Sequence, residues 1–175
     1  METQDIVRKV YEAGVVGAGG AGFPTHVKLG AKAEIVLVNG AECEPLLKVD
    51  QQLAARHAKE MVRGLALAMQ AVGAREGIVA LKAKYAEAID AITPLLHENM
   101  RIHILQDVYP AGDEVITIWM ATGRRVPPGD IPLSIGVVVN NVNTLINVAR
   151  AVDEGLPVTH RCLTVTGAVN EPVTV

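Results

Sequence analysis

Ile35-Val36-Leu37-Val38-Asn39-Gly40-Ala41-Glu42-Cys43-Glu44 decides what kind of fold this chain adopts. Its opening apolar run, rich in β-branched residues, has the character of a strand buried on both faces, as strands of parallel sheets are, and Asn39-Gly40 ends it. Two carboxylates, an amide and a thiol follow at once. Polar chemistry therefore sits at the strand's C-terminal end, the edge at which open α/β sheets collect ligands.

Working outward toward the amino terminus, the next feature is Gly17-Ala18-Gly19-Gly20-Ala21-Gly22-Phe23-Pro24-Thr25, closed by Lys28. Glycines lack a Cβ, so such a loop can take positive φ and bring backbone N–H groups against a phosphate or a planar ring. The same run serves equally well as a packing turn between two elements. Ahead of it, residues 3–13 carry Ile6, Val7, Val10 and Tyr11 at helical spacing, with Thr3 as the expected cap and Gly14 as the stop.

Toward the carboxyl terminus, strand and helix patterns alternate. Residues 51–72 have the composition of one long helix stopped by Gly73; Ile78–Leu81 is a second strand, 84–96 a second helix, and Ile102–Leu105 a third strand. Tyr109-Pro110-Ala111-Gly112-Asp113-Glu114 follows that strand and leads into an apolar helix reaching Ala121. A loop over 123–132 contains Arg124 and Arg125. Gly136–Val139 is a fourth strand, and it ends in Asn140-Asn141-Val142-Asn143-Thr144 before a helix over 144–153. Alternation of this kind implies parallel strands joined by crossover helices. The tail from Arg161 to Val169 alternates like a strand and turns at Gly167; it is expected to be an unfinished hairpin without a partner strand.

Composition narrows the function classes. The chain of 175 residues is long enough to bury one substantial core, and its net charge of −3, with scattered basic residues, gives no footprint for nucleic acid. No apolar run approaches the roughly 20 residues of a membrane-spanning helix. Absence of a signal-like segment points to the cytoplasm. Cys43 and Cys162 lie far apart and form no C-x-x-C unit, which argues against a zinc or iron–sulfur centre built from this chain.

Gly17 to Lys28 in the form GxGGAGFPTxxK, Asn39-Gly-Ala-Glu-Cys-Glu-Pro45, Tyr109-Pro-x-Gly-Asp-Glu114 and Asn140-Asn-Val-x-Thr144 resemble, in order and spacing, the signature segments of one flavoprotein family. That family contains the flavin-binding subunit of respiratory complex I and the RnfC component of the Rnf electron-transport complex. Ala13–Leu29, Leu47-Lys-Val-Asp-Gln-Gln-Leu53 and Asp107–Pro127 look most similar to its branch that reduces corrinoids in propanediol-utilising microcompartments.

The resemblance implies a Rossmann-like α/β domain over 1–160 that binds FMN, with 161–175 opening a ubiquitin-like soluble-ligand-binding module. Gly17, Gly19, Gly20 and Gly22 would wrap the flavin, with Phe23 in the same loop and Lys28 near it as cofactor-binding residues, and Asn39 would hydrogen-bond it. Asn140, Asn141 and Thr144 would lie near its phosphate. Tyr109, Gly112, Glu42 and Cys43 complete the implied cofactor residues; Cys43 stands where complex I has serine. Glu44 matches a carboxylate beside the nicotinamide, and Asp113 and Glu114 an acidic pair near the flavin, so Glu44 and Glu114 are the implied catalytic carboxylates. Negative charge there would disfavour an anionic reduced flavin and lower its potential.

Implied with these are NADH as donor, iron–sulfur clusters held outside this stretch, and a corrinoid or an adenosyltransferase as partner, inside a microcompartment. Two other readings stay open: an electron-input component of an Rnf-type membrane complex, and a non-enzymatic module that docks a corrinoid or a protein. Departures from complex I are visible too. Ala41 replaces an acidic residue, and no aromatic follows Lys28 or falls within 123–132 to meet the adenine of NADH.

Overall fold

The computed structural model describes residues 1–44 and 46–175. Pro45, the last residue of one signature segment, lies outside the described residues.

A four-stranded parallel sheet forms the centre. Its strands are β1 (Ile35–Asn39), β2 (Glu76–Lys82), β3 (Met100–Leu105) and β4 (Val137–Asn141), in the order β3-β2-β1-β4. The continuous apolar character of β1 has its cause here. The strand pairs on both sides, with Leu37 against Ile78 and Val139, and both of its faces are covered.

Val36 and Val38 turn one way, into a core with α1 (Thr3–Glu12), α4 (Ala58–Val72) and α7 (Val142–Ala149). Ile35 and Leu37 turn the other way, under α6 (Glu114–Thr122), through Ile118 and Ala121. The layers are therefore α/β/α, and the Rossmann-like reading holds. Connections from β1 to β2 and from β2 to β3 run over the first face, whereas α6 carries the chain across the second face to β4. Strand order thus reverses beside β1, and a crevice opens between the ends of β1 and β4.

Four sequence expectations are corrected. The single helix over 51–72 is two, α3 (Val49–Arg56) and α4, separated by His57 at φ −119° and ψ 34°. His57 is held out of register by its ring, whose Nδ1 lies 3.0 Å from Glu60 Oε1 and 3.2 Å from Arg150 Nη2. Thr3 does not cap α1; Glu2 occupies the cap position without a side-chain hydrogen bond, and Thr3 Oγ1 instead donates to Gln70 O at 3.4 Å. The helix over 84–96 is α5 (Ala86–Ile92) followed by a 3₁₀ turn, Thr93–Leu95, because Pro94 has no N–H to continue the α ladder. Finally, the tail is not unpaired: β5 (Thr164–Val165) pairs antiparallel with β6 (Val173–Thr174), and Leu163 and Val175 exchange two backbone hydrogen bonds of 2.8 and 2.9 Å.

Candidate functional site

The crevice at the switch point is a cleft of about 690 Å³, within the range of small-molecule sites. Its walls come from the glycine loop, the β1 exit, the Gly112–Glu114 turn, the β4 exit and the start of α7.

The glycine loop is a tight excursion. Val16 bridges Pro24, Gly17 N donates to Phe23 O at 2.9 Å, and Thr25 N donates to Val15 O at 3.1 Å. Gly20 (φ +128°) and Gly22 (φ +64°) take left-handed backbone that side chains resist. The loop is fastened to α7, since Ala18 N donates to Thr144 Oγ1 at 2.9 Å. Short α2 (Thr25–Leu29) follows and brings Lys28 under the loop, where its Nζ donates to Val139 O at 2.9 Å and stands 5.7 Å from the centre of the Phe23 ring.

Parallel pairing sets Asn39 beside Asn141 and Val38 beside Asn140, so the two strand-end clusters meet in register. Asn39 is engaged on both sides of its amide: Oδ1 accepts from Ala41 N at 3.1 Å, and Nδ2 donates to Gly112 O at 2.9 Å. It therefore clips the β1 exit to the turn before α6. Asn141 caps α7, its Oδ1 accepting from Asn143 N at 2.9 Å. Asp113 likewise caps α6, accepting from Val115 N and Ile116 N at 3.0 Å each. Asn140 is 4% exposed and Thr25 1%, and Asn140 Nδ2 and Thr25 Oγ1 have no hydrogen-bond partner among the described residues. Both residues line the cleft. Buried polar groups left open in this way are complementary to a ligand that brings its own acceptors and donors.

Gly17, Gly19, Gly20, Gly22, Phe23, Lys28, Asn39, Glu42, Cys43, Glu44, Gly112, Asp113, Glu114, Asn140, Asn141 and Thr144 all line this one cleft. Tyr109 does not. It is 80% exposed and borders a separate recess of about 260 Å³, with Lys82, Lys84, Tyr85 and Asp107. That recess shares Glu42, Cys43 and Glu44 with the cleft. Arg124, in the loop after α6, is directed away from the site: it pairs with Glu34, just before β1, and donates to Ile135 O.

Two charged cleft residues were not legible at the sequence level as site residues. Asp50, in the first turn of α3, accepts from Asn141 Nδ2 at 2.7 Å, while its own backbone N donates to Glu42 Oε1 at 3.1 Å. Glu42 is thus bound to the start of α3. Burial pushes the Asp50 carboxyl up to about 6, with Glu42 adding to the shift; the Asn141 hydrogen bond and the Arg161 charge act against it. The only sequence signal was its place in Leu47–Leu53, which names no partner. Arg161 is the second such residue.

A folded-state pKa raised above the unfolded value makes Asp50 a source of pH dependence. Between roughly pH 4 and 6 the folded state binds the extra proton, so stability falls as pH rises through that window and the full cost persists above it. Asp50→Asn keeps an acceptor for Asn141 and removes the charge. It is expected to stabilise the chain at pH 7.5 by on the order of 1–2 kcal/mol, discounted for the part of the side chain still open to solvent, and to do little at pH 4. Thermal unfolding across pH measures this, and equal shifts at both pH values would contradict it.

Comparison with known proteins places this geometry. The model of the Nuo51 FMN-binding domain matches residues 10–150. Cobalamin reductase PduS of Salmonella typhimurium is 65% identical over 175 residues, which are 100% of this chain and 39% of that protein. A component of the Na+-translocating ferredoxin:NAD+ oxidoreductase complex of Acetobacterium woodii is 41% identical over 182 residues, covering 100% of this chain and 41% of the relative. The chain therefore spans about two fifths of the length of these relatives. Among solved structures, the NAD+-reducing NiFe hydrogenase in its air-oxidised state superposes with a TM-score of 0.74 at 28% identity, over 87% of this chain and 30% of that one.

Proposed function

This chain belongs to the Nuo51 FMN-binding domain family, and we propose that it holds the flavin of an NADH-dependent flavoprotein oxidoreductase of the cobalamin-reductase type. The observation that carries the reading is a pair of buried polar groups without partners among the described residues, Asn140 Nδ2 and Thr25 Oγ1, on residues that line a cleft where four separate segments converge.

FMN supplies acceptance of a hydride and release of electrons one at a time, which connects a two-electron donor to one-electron acceptors. The chain's own residues supply position and field. The glycine loop and the first turn of α7 offer backbone N–H groups and a positive dipole end to a phosphate. Asn39 and Gly112 hold the opposite wall in place through their 2.9 Å hydrogen bond. Glu44 and Glu114 put negative charge at the mouth of the cleft, where a nicotinamide would stack and where an anionic reduced ring is disfavoured.

NADH as donor is supported by the NAD+-linked names of the hydrogenase and of the ion-translocating relative. Electrons would then leave through iron–sulfur clusters beyond this stretch toward a corrinoid, directly or on a partner such as an adenosyltransferase, within a microcompartment. Higher identity to the cobalamin reductase than to the ion-translocating relative favours the corrinoid as the final acceptor. No helix among the described residues is long and apolar enough to cross a membrane.

Titration of the purified chain with FMN, followed by anaerobic addition of NADH, tests the proposal. FMN fluorescence is expected to be quenched on binding, and the bound flavin to bleach on reduction. Lys28→Ala and Asn39→Ala are each expected to weaken FMN binding about tenfold, as loss of one engaged polar group does. Wild-type affinity in both variants would defeat the site assignment.

A further inference from the structure

The cleft is acidic. Glu42, Glu44, Asp50, Asp113 and Glu114 line it, against Lys28 and Arg161. A phosphate monoester carries between one and two negative charges at neutral pH, so it settles only where cations and N–H donors locally outweigh these carboxylates. Lys28 meets the need in part, because its ammonium already donates to Val139 O beneath the loop.

Arg161 arrives from a part of the chain beyond the span that the family model matches. The segment around it lies across the cleft and is tied down at both ends. Val158 N donates to Ala13 O at 2.9 Å beside the glycine loop, and Lys48 N donates to Thr164 Oγ1 at 3.4 Å on the opposite wall. Between these ties, Arg161 Nη2 donates to Ala18 O at 2.6 Å. Ala18 is the residue whose N–H is held by Thr144 in α7. The guanidinium therefore stands where the glycine loop meets the start of α7, the two elements that present N–H donors. Its charge also reaches Asp50, whose carboxyl it favours in the ionised form. A guanidinium has five N–H donors in a planar fork, and the Ala18 bond is the one it makes among the described residues. The rest of the fork suits the oxygens of a phosphate.

Resting on the flavin reading, we propose that Arg161 binds the phosphate of the flavin nucleotide and that residues 158–164 form the strap completing that end of the site. The strap makes the site discriminate between FMN and riboflavin through a residue outside the matched domain.

Parallel titrations of the wild-type chain, Arg161→Gln and Arg161→Lys with FMN and with riboflavin test this. Arg161→Gln is expected to lose about ten- to a hundredfold in FMN affinity, the range for a charge-assisted contact, while riboflavin affinity stays within about threefold; Arg161→Lys falls between. Equal losses for the two ligands would mean that the strap is only structural, and unchanged FMN affinity would mean that Arg161 does not touch the phosphate. Either result overturns the proposal and leaves the flavin reading standing. A wild-type chain that takes up neither ligand overturns the flavin reading itself.

Discussion

Gly64→Ala is expected to destabilise the protein by about 3 kcal/mol or more, even though alanine is the better helix former by up to roughly 1 kcal/mol. Gly64 lies in the middle of α4 on its buried face, where α4 packs against α7. A Cβ added there would fall on the backbone carbonyl of Leu145. The obstacle is main chain rather than a flexible side-chain end, so relief requires the two helices to separate. Separation would open the core around Leu65, Ala68 and Leu145, all of them fully buried. It would also tilt α7, whose first turn and cap border the cleft. Urea unfolding gives the result directly: a lower midpoint with an unchanged slope is expected. A midpoint equal to or above wild type would show that the close approach of α4 and α7 is not a feature of the folded chain.

Gly112→Ala is expected to abolish or severely reduce flavin binding, by more than about tenfold, while the sheet remains folded. The residue sits in the turn before α6, and an added Cβ would strike Ala41 O and come within 2.8 Å of Cys43 Sγ. Small residues are needed at that contact because the turn lies directly on the β1 exit. Displacing the turn also breaks the Asn39 Nδ2 to Gly112 O hydrogen bond and moves Asp113, the cap of α6. Asn39 would then lose one of its two anchors. Loss of that single hydrogen bond costs about 1 kcal/mol, so displacement of the wall is the larger part of the effect. Circular dichroism checks the fold and FMN titration checks the site. An alanine variant that keeps its far-ultraviolet spectrum and binds FMN as wild type does would show that this wall does not touch the cofactor.

These two positions mark the boundary of what was legible before the structure. Neither glycine has positive φ, so backbone conformation alone requires glycine at neither position. Gly64 reads simply as a weak point in an otherwise good helix. Its reason is a backbone distant in sequence, and a local pattern carries no information about such a partner. The break at His57 belongs to the same class, since Ala, Leu, Lys and Glu on both sides of it continue a helical composition. Contacts with Glu60 and Arg150 determine it.

The buried strands were legible because burial on two faces leaves only apolar residues to choose from. Ile35–Val38, Ile78–Leu81, Ile102–Leu105 and Gly136–Val139 all overlap observed strands, with ends within two residues. Their polar ends were legible as well, because a parallel sheet delivers every strand's C-terminus to one edge.

What the sequence determined by itself, then, is the α/β class, the edge at which chemistry collects, and many of the residues that meet there. The class and the edge follow from local periodicity and from the single direction of parallel strands, whereas the residues were named through the resemblance of four segments to one flavoprotein family. Only the tertiary structure decided what each of those residues does. Asn39 clips two loops together, Thr144 holds the glycine loop, Asn140 is left with an open donor, and Tyr109 borders the neighbouring recess. Asp50 and Arg161 enter the cleft from α3 and from the tail. The physical reason is that a hydrogen bond or an ion pair depends on distances of about 3 Å between atoms, and those distances are set by how helices pack on the sheet.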